Sequence, residues 1–574
     1  MSSKPRLPVV LYWHMHQPHY RDALSGQYVF PWTYLHAIKD YVDMVAHLEA
    51  NPKARAVVNF TPVLIEQLEE LALRVNLHLT QHEPLPDPVL AMLSSAPLPE
   101  APAERLMLLR ACLRAERRNL IERHPVYAEL VTLATSLGTP EQIGYASDQF
   151  LRDLAVWYHI AWMGETVRRT DLRIAALSEQ GRHFGPPERR KLLELVGELL
   201  AGLLPRYRRL YETGQCELCV SPYSHPILPL LLDFKSARES EPAAPLPQHP
   251  EYPGGEERAV WHMQEALRVF ERVFGRAPRG CWPSEGAISE GALKIIEDAG
   301  IEWVASSSGV LRGALEESGE PPGQDVPELD RLMNRPHRPA QRQLSCFFRH
   351  DTLSDLIGFT YSKWHGDDAA RHFVGELERL ADHLDADDGA VVLVALDGEN
   401  AWEYYPYNGY YFLNAMYKGL AENPRLQLAT LSEYLDQARE RGIQPRPLRH
   451  VRAGSWVHGT LSTWMGDPAK NRGWDLLCDA KVAYDTVFEA GSLTTAERSE
   501  ASRQLALCES SDWFWWFGDY NPAEAVRDFD LLFRHQLTNL YHLLKLDPPS
   551  ELEERISFGL GAPAAGGVMR RAQE

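Results

Sequence analysis

The sequence predicts a parallel α/β barrel whose functional groups gather at a single mouth. Short apolar runs recur along the 574 residues, and stretches with helical periodicity separate most of them. Polar residues lie just after these runs: His14, Thr61, Ser221, Glu285, Arg349, Asp397. In a closed parallel barrel the carboxyl ends of the strands converge on one face, which carries the site. The repeated order of buried run and polar end therefore predicts one shared site.

Eight apolar runs are the candidate strands, and each has the length of a buried strand. In chain order they read PVVLYW, RAVVNF, CELCVS, RGCWPS, EWVASS, LSCFFR, VVLVAL and LQLATL. The sixth run, LSCFFR, is also compatible with an insertion. The residues by themselves therefore leave the number of barrel strands open.

The spacing of the runs is uneven, which predicts additions to the barrel. Residues 65–212 have helical periodicity over far more than one crossover, so we expect a helical insertion there. Residues 235–257 are rich in Pro and Glu and predict an exposed loop at the rim. We assign residues 1–440 to the catalytic barrel and 441–558 to a C-terminal helical domain that completes the site. Residues 559–574 are expected to be disordered.

The overall charge narrows the range of partners. With 59 basic and 79 acidic residues the formal charge is −20, which argues against nucleic acid and anionic membranes as partners. No apolar stretch reaches the roughly 18 residues of a membrane helix. The first apolar run soon meets His14 and His16, which indicates a first strand and not a signal peptide. We expect a cytoplasmic protein, and the sequence does not indicate its oligomeric state.

The seven cysteines do not form the pattern of a disulfide framework. Cys216 and Cys219 have CxxC spacing, but no second pair follows at zinc-finger distance, so we interpret them as ordinary strand cysteines. No EF-hand-like loop indicates calcium. We therefore expect neither a metal site nor a cofactor.

Two acidic residues at strand ends are the candidate catalytic pair. VVLVAL runs straight into Asp397, and RGCWPS into Glu285, each with aromatic residues beside it. A buried carboxylate is costly unless it is paired or used. Two carboxylates on one barrel face are what glycoside hydrolysis needs, one ionised to attack the anomeric carbon and one protonated to serve the leaving oxygen. The alternative for either residue alone is a helix cap or a structural salt bridge.

Five segments resemble, in chain order, the five motifs of glycoside hydrolase family 57, most closely its α-amylase and amylopullulanase branch. They are HMHQPHY, GQCELCVSPYSHPILPLL, CWPSEG, LDGENAWEYY and ESSDWFWWFGDYN. The resemblance covers nearly the whole chain and is weakest between residues 66 and 211. It implies a distorted TIM-like (β/α)7 barrel with a helical C-terminal region. It also implies a retaining enzyme that acts on α-glucans such as maltodextrin, starch or glycogen.

The resemblance also implies roles for residues at the matching positions. Glu285 of the third motif is expected to be the nucleophile, and Asp397 of the fourth the general acid/base. Retention implies that these two carboxyl groups lie about 5 to 5.5 Å apart. The expected substrate-binding residues are His14, His16, Gln17, Trp282, Trp364, Trp402, Trp456, Asp512 and Trp513. A single Trp is more often core packing, which is the alternative for Trp364, Trp402 and Trp456.

Several functions stay open at this point. Hydrolysis of α-1,4 bonds, with α-1,6 bonds as a further target, is the first, and a 4-α-glucanotransferase or branching enzyme is the second. The first motif also carries His19, and three histidines with an aspartate are compatible with a metal-dependent deacetylase. A non-catalytic glucan-binding protein is the last alternative, and the presence of both Glu285 and Asp397 argues against it.

Overall fold

Strands form the centre of the molecule in the computed structural model, which describes residues 5–320 and 325–561. They are β1 (Leu7–Met15), β2 (Ala56–Phe60), β3 (Cys216–Val220), β4 (Gly280–Cys281), β5 (Trp303–Ser307), β6 (His337–Pro339), β7 (Ser345–Arg349), β8 (Val392–Asp397), β9 (Leu426–Leu428) and β10 (Arg446–Leu448). Strands β1, β2, β3, β4, β5, β7 and β8 pair in that order, each parallel to the next. Strand β8 then pairs with β1, so the seven strands close into a barrel.

The closed barrel confirms the predicted fold class and settles the number of its strands. The run LSCFFR forms β7, a barrel strand and not part of an insertion. The run LQLATL contributes β9, which lies outside the ring and pairs only with the start of β1. Strand β6 runs antiparallel to β7, and β10 pairs with β6.

Alternation along the strands aims the site residues into the barrel. In β1, Val10 and Tyr12 pack inside the barrel, while their neighbours face the surrounding helices. Side chains two apart share one face of a strand, so His14 continues the inner set at the carboxyl end. Leu393 and Ala395 form the inner set of β8 in the same way, and Asp397 continues it. The period of two therefore brings His14 and Asp397 to the same mouth.

Helices dominate the chain between β1 and β3. They are α1 (Trp32–His36), α2 (Val42–Ala50), α3 (Pro62–Gln81), α4 (Pro88–Ala91), α5 (Pro102–Ala111), α6 (Pro125–Ser136), α7 (Pro140–Ile143), α8 (Asp148–Ala161), α9 (Glu165–Thr170), α10 (Leu172–Gln180) and α11 (Pro186–Glu212). Two π-helical turns, Ala37–Tyr41 and Arg117–Ile121, complete this region. Nine of the α-helices lie between β2 and β3, over most of residues 65–212.

The second half of the barrel carries shorter crossovers. Its helices are α12 (Leu228–Leu232), α13 (Ala237–Ser240), α14 (Gly255–Phe274), α15 (Glu290–Asp298), α16 (Ser308–Glu317), α17 (Val326–Met333), α18 (Asp351–Asp355), α19 (Gly366–His383), α20 (Tyr410–Glu422) and α21 (Leu431–Glu440). Short helical turns lie at Phe234–Ser236, Ser284–Gly286, Leu356–Thr360, Tyr361–Lys363, Ala386–Asp388, Trp402–Tyr404 and Pro406–Gly409. Residues 241–253 form turns and irregular structure within the predicted loop.

Four helices follow β10, and the last two of them reach the barrel mouth. They are α22 (Pro468–Ala490), α23 (Thr495–Cys508), α24 (Asp512–Trp516) and α25 (Ala523–Leu543), with a last turn at Ser550–Glu553. A buried network anchors them, in which Glu509 accepts hydrogen bonds from Arg258 and Tyr252 at 2.7 and 2.6 Å. Residues 559–561 of the predicted tail are described, with Gly561 pairing with Pro522, and residues 562–574 lie outside the described residues. Within the described ranges, no helix has both the length and the apolarity needed to cross a membrane.

Candidate active site

A cavity of about 680 Å³ opens at the carboxyl ends of the barrel strands. Seven of the predicted site residues line it: His14, His16, Gln17, Glu285, Asp397, Trp456 and Asp512. They come from β1, the β4 and β8 ends, the segment after β10 and α24. The structure thus brings both candidate carboxylates to one enclosed space.

Glu285 lies in a strained turn four residues after β4 and is clamped by Trp456. Its φ of +57° falls in the left-handed region, which a residue other than glycine adopts at a cost of order 1–3 kcal/mol. The backbone N–H of Trp456 donates to the Glu285 carbonyl at 2.9 Å, and its indole Nε1 donates to Oε2 at 2.9 Å. One aromatic residue therefore holds both the backbone and the carboxyl group of Glu285.

Asp397 ends β8 directly opposite His14 in the strand register. The residue is largely buried and lines the cavity. This burial raises the pKa of Asp397 from 3.8 to about 6. A hydrogen bond from Asn400 Nδ2 to Oδ2 at 2.9 Å and the positive Arg349 oppose that rise. Asp397 therefore keeps its proton to a higher pH than an ordinary aspartate.

The raised pKa of Asp397 predicts the pH dependence of a reaction that needs its proton. The protonated form is present below pH 6 and is lost above it, so kcat/KM of the free enzyme is expected to fall as the pH rises through about 6. Replacing Asn400 with Ala removes a donor that favours the ionised form, so this alkaline limb should move up by about one pH unit. A kcat/KM profile on maltoheptaose, a substrate of the class that the motif resemblance implies, checks this, and an unchanged or lowered limb for N400A contradicts it.

Three histidine rings stack beside the carboxylates. Two of them, His14 and His16, point the same way, as their two-residue spacing predicts. His14 and His16 have their ring centroids 5.9 Å apart, and His225 lies 4.1 Å from His16. Burial lowers the pKa of His14 to about 3 and that of His225 well below its usual range. The contact of 3.6 Å between His225 Nδ1 and Glu285 Oε1 is therefore that of a neutral imidazole and not an ion pair.

The third ring of this stack is His225, and His19 of the first motif does not line the cavity. The hydrogen bonds of the stack go to protein groups, with His14 Nδ1 to Asn59 Oδ1 at 2.6 Å and His225 Nδ1 to Ser511 Oγ at 3.0 Å. In the described parts of the chain, no group of three or more His, Cys, Asp or Glu side chains has the arrangement of a metal site.

Asp512 joins the site from the C-terminal helices. At the first position of α24, its carboxylate lies 3.0 Å from His16 Nε2, while Ser510 Oγ donates to it at 2.5 Å. The other ring nitrogen of His16 contacts Thr61 Oγ1 at 3.0 Å. His16 is therefore fixed between a barrel residue and a residue nearly 500 positions further along the chain.

The four other predicted residues lie away from the cavity. Trp282, Trp402 and Trp513 are fully buried and pack in the core, the last two with their indole N–H groups donating to the carbonyls of Gly398 and Leu507. Trp364 is exposed on the outer surface beside Tyr361 and His372. A ring without free surface cannot stack on a sugar, and Trp364 lies outside the cavity, so Trp456 is the one of the five predicted tryptophans that lines it.

His225 and Glu399 lie close to the candidate carboxylates and were not singled out from the sequence; of these two, only Glu399 lines the cavity. His225 lies in the second motif, and Glu399 follows Asp397 by two residues, where it accepts a hydrogen bond from the backbone N–H of His16 at 3.2 Å. Burial, together with the Asp397 carboxyl, raises the pKa of Glu399 well above its ordinary value. Both residues lie within the five family motifs, and this position was the signal that the sequence offered. Four aromatic side chains also line the cavity, and we call them the apolar rim: Phe30, Trp515, Trp516 and Phe529.

Comparison with known proteins places these features in context. Residues 10–447 match the family described as Glycosyl hydrolase family 57. A branching enzyme of that family from Thermococcus kodakaraensis, solved with glucose, aligns with a TM-score of 0.59 at 15% identity, over 94% of this chain and 90% of that one.

Two further solved structures are similar over nearly their whole length. The family 57-type branching enzyme from Pyrococcus horikoshii gives a TM-score of 0.58 at 16% identity, over 96% and 94% of the two chains. The α-amylase AmyC from Thermotoga maritima gives 0.54 at 14% identity, over 96% and 95%. At such identities these likenesses show the fold alone.

Proposed function

Because the chain belongs to glycosyl hydrolase family 57, we propose that it cleaves α-1,4 glucosidic bonds of maltodextrin, starch or glycogen with retention, and α-1,6 bonds as a further target. The observation that carries the proposal is the pair Glu285 and Asp397, two carboxyl groups on one cavity in different surroundings. Such differences separate the roles of nucleophile and acid. The structural neighbours named as branching enzymes and α-amylase support an α-glucan as the substrate.

The first half of the reaction uses Glu285 as nucleophile. The indole N–H of Trp456 can only donate, so Oε2 of Glu285 is an acceptor there, as suits a carboxylate. The carboxylate attacks the anomeric carbon while Asp397 gives its proton to the leaving glycosidic oxygen. The products are a β-linked glycosyl-enzyme and a shortened glucan with a new hydroxyl group.

The second half returns both carboxyl groups to their starting state. Asp397, now ionised, takes a proton from a water molecule, whose oxygen attacks the anomeric carbon and displaces Glu285. The stacked His14 and His16 and the amide of Gln17 line the same cavity and are proposed to hydrogen-bond sugar hydroxyls beside Glu285. Asp512 sets the orientation of His16 through their 3.0 Å contact.

Glucan transfer is the second candidate, and the apolar rim favours it. Phe30, Trp515, Trp516 and Phe529 line the same cavity as the carboxylates. Apolar C–H faces of a pyranose suit aromatic surfaces of this kind, and an acceptor sugar bound there would compete with water for the glycosyl-enzyme. Transfer to a 4-hydroxyl would make the protein a 4-α-glucanotransferase, and transfer to a 6-hydroxyl a branching enzyme.

A product profile from maltoheptaose separates hydrolysis from transfer. If hydrolysis dominates, the wild type yields only glucose and shorter maltodextrins, with each new reducing end matched to one bond cleaved. Oligosaccharides longer than seven units indicate transfer and make the second candidate correct. An Asp397→Asn sample run beside it reports contaminating activity, and no cleavage of maltoheptaose, starch or glycogen by the wild type contradicts both.

A further inference from the structure

Exposed aromatic side chains are concentrated on one part of the outer surface. Among the residues that the structure describes, seven Trp, Tyr and Phe side chains are exposed, and four of these lie between residues 364 and 411. They are Trp364 at 41%, Tyr404 at 51%, Tyr407 at 42% and Tyr411 at 46% exposure. We call these four side chains the aromatic patch. Its concentration is unlike the single exposed apolar residues that any surface carries.

Two of the four rings, Tyr407 and Tyr411, are held by two arginines and one buried acid. The guanidinium of Arg123 lies 4.5 Å from the ring centroid of Tyr407, and that of Arg169 lies 5.2 Å from Tyr411. Arg169 also donates to the Tyr411 hydroxyl at 3.0 Å. Glu165, which is buried, pairs with both arginines at 2.8 and 2.9 Å. Rings fixed in this way lose little conformational freedom when a ligand stacks on them.

The backbone under the patch is strained, which also fixes the rings. Tyr407 and Asn408 are consecutive residues in the left-handed region, with φ of +57° and +52°. A buried hydrogen bond from Asn408 Nδ2 to Asp43 Oδ2 at 2.8 Å holds them there. Two adjacent strained residues persist only where the surroundings enforce them, and such strain is concentrated at binding and catalytic sites.

The chain segment that carries the patch begins next to the cavity. Glu403 lines the cavity, and Tyr404 follows it directly. At the other end, Gly366 packs so closely on Tyr411 that a β-carbon at position 366 would lie 3.0 Å from Tyr411 Cβ. Trp364 lies only two residues before that contact. Tyr404 therefore follows a residue of the cavity wall, Tyr407 and Tyr411 are in contact with ring centroids 5.4 Å apart, and the backbone near Trp364 lies beside Tyr411.

We infer that the aromatic patch is a second α-glucan-binding surface, which retains long chains outside the catalytic cavity. The occupant follows from the chemistry, since the C–H face of a glucose unit stacks on a tyrosine or tryptophan ring and its hydroxyls suit phenol and guanidinium groups. Glu165 offsets one of the charges of Arg123 and Arg169, and the whole chain carries a formal charge of −20, so a neutral ligand suits the surface better than a polyanion. The inference rests on the proposed function for the identity of the sugar.

Kinetics on short and long substrates test the inference. In the double variant Tyr407→Ala, Tyr411→Ala, KM for soluble starch and glycogen is expected to rise about tenfold, the loss of about 1.4 kcal/mol of binding. KM and kcat for maltopentaose should stay within twofold, because a short chain is held by the cavity. The control is Tyr145→Ala, a tyrosine 89% exposed and outside the patch, which should change neither. The double variant Tyr407→Phe, Tyr411→Phe keeps the rings and should restore most polymer binding.

The outcomes separate this inference from the proposed function. If the wild type cleaves maltopentaose and the double variant shows unchanged KM for starch and glycogen, the patch is not a glucan site. An equal loss on maltopentaose and starch places the defect in the cavity or the fold and also overturns the inference. The patch could instead bind a second copy of the chain. Light scattering on the wild type and the double variant tests this, because a wild-type dimer that the substitutions dissociate would show that the patch is a dimer interface and would overturn the inference. If the wild type cleaves neither substrate, the proposed function itself fails. Affinity electrophoresis in glycogen then tests the patch separately, and equal retardation of the wild type and the double variant would overturn the inference.

Discussion

Glu285→Gln is expected to lower kcat on maltoheptaose by about 10,000-fold or more, while oligosaccharide binding stays within a few fold. Glutamine keeps the shape of the side chain and its contact with the Trp456 indole, but its amide is too weak a nucleophile to form the glycosyl-enzyme. The measurements are initial rates by reducing-end release and a dissociation constant by calorimetry. Turnover at the wild-type rate would show that Glu285 is not the nucleophile.

A matched control and a chemical rescue sharpen this test. Glu290→Gln, five residues along the chain, changes a half-buried acid that lies near His450 and accepts a hydrogen bond from the Val451 N–H, which glutamine can also accept, so kcat should stay within twofold. In Glu285→Ala the space of the carboxylate can admit azide, which then attacks α-maltosyl fluoride directly. That attack inverts the centre, so a β-glycosyl azide is expected from Glu285→Ala. An α-azide would mean that another residue still forms the covalent intermediate.

Asp397→Ala is expected to have an effect that depends on the leaving group. On maltoheptaose, whose leaving sugar needs a proton, kcat/KM should fall about 1,000-fold. On 4-nitrophenyl α-maltoside the leaving phenolate needs no proton, so kcat/KM should fall about tenfold at most. A fall in kcat/KM by the same factor on both substrates would contradict the assignment of Asp397 as acid/base.

The second step supplies the remaining evidence for Asp397. With the acid/base missing, the glycosyl-enzyme is slow to react with water, and azide should accelerate turnover and give an α-glycosyl azide with retained configuration. The control is Asp387→Asn. Asp387 is exposed, pairs with Arg441 and lies before the start of β8, whereas Asp397 lies at the end of that strand. It should leave both substrates unaffected. A β-azide from Asp397→Ala would exchange the roles proposed for the two carboxyl groups.

Much of the architecture follows from local sequence pattern. The apolar runs predict the barrel strands because a strand buried on both faces needs a continuous apolar segment. Alternation with a period of two then predicts that His14 and Asp397 continue the inward-facing sets of β1 and β8. The pattern could not distinguish LSCFFR in the ring from LQLATL outside it, because both are short apolar runs and only pairing partners differ.

Local sequence pattern also could not show which tryptophans are buried in the core. Trp402 and Trp456 look alike in the sequence, yet the first is enclosed by Trp13 and the core while the second clamps Glu285. Whether a ring is buried depends on which distant elements cover it, and no local pattern records that. Trp364 was likewise a candidate by its type, and the structure places it on the outer surface, where its neighbours give it a different proposed role.

By itself the sequence determined the fold class, the family motifs and the strand ends at which both carboxyl groups lie, because each depends on residues close together in the chain. Only the tertiary structure decided how the site is assembled. His225 meets Glu285 across 60 positions, and Asp512 meets His16 across 496. Such contacts arise when barrel closure and the packing of the C-terminal helices bring distant segments together. The raised pKa of Asp397 has the same origin, since burial by those segments is what disfavours its charge.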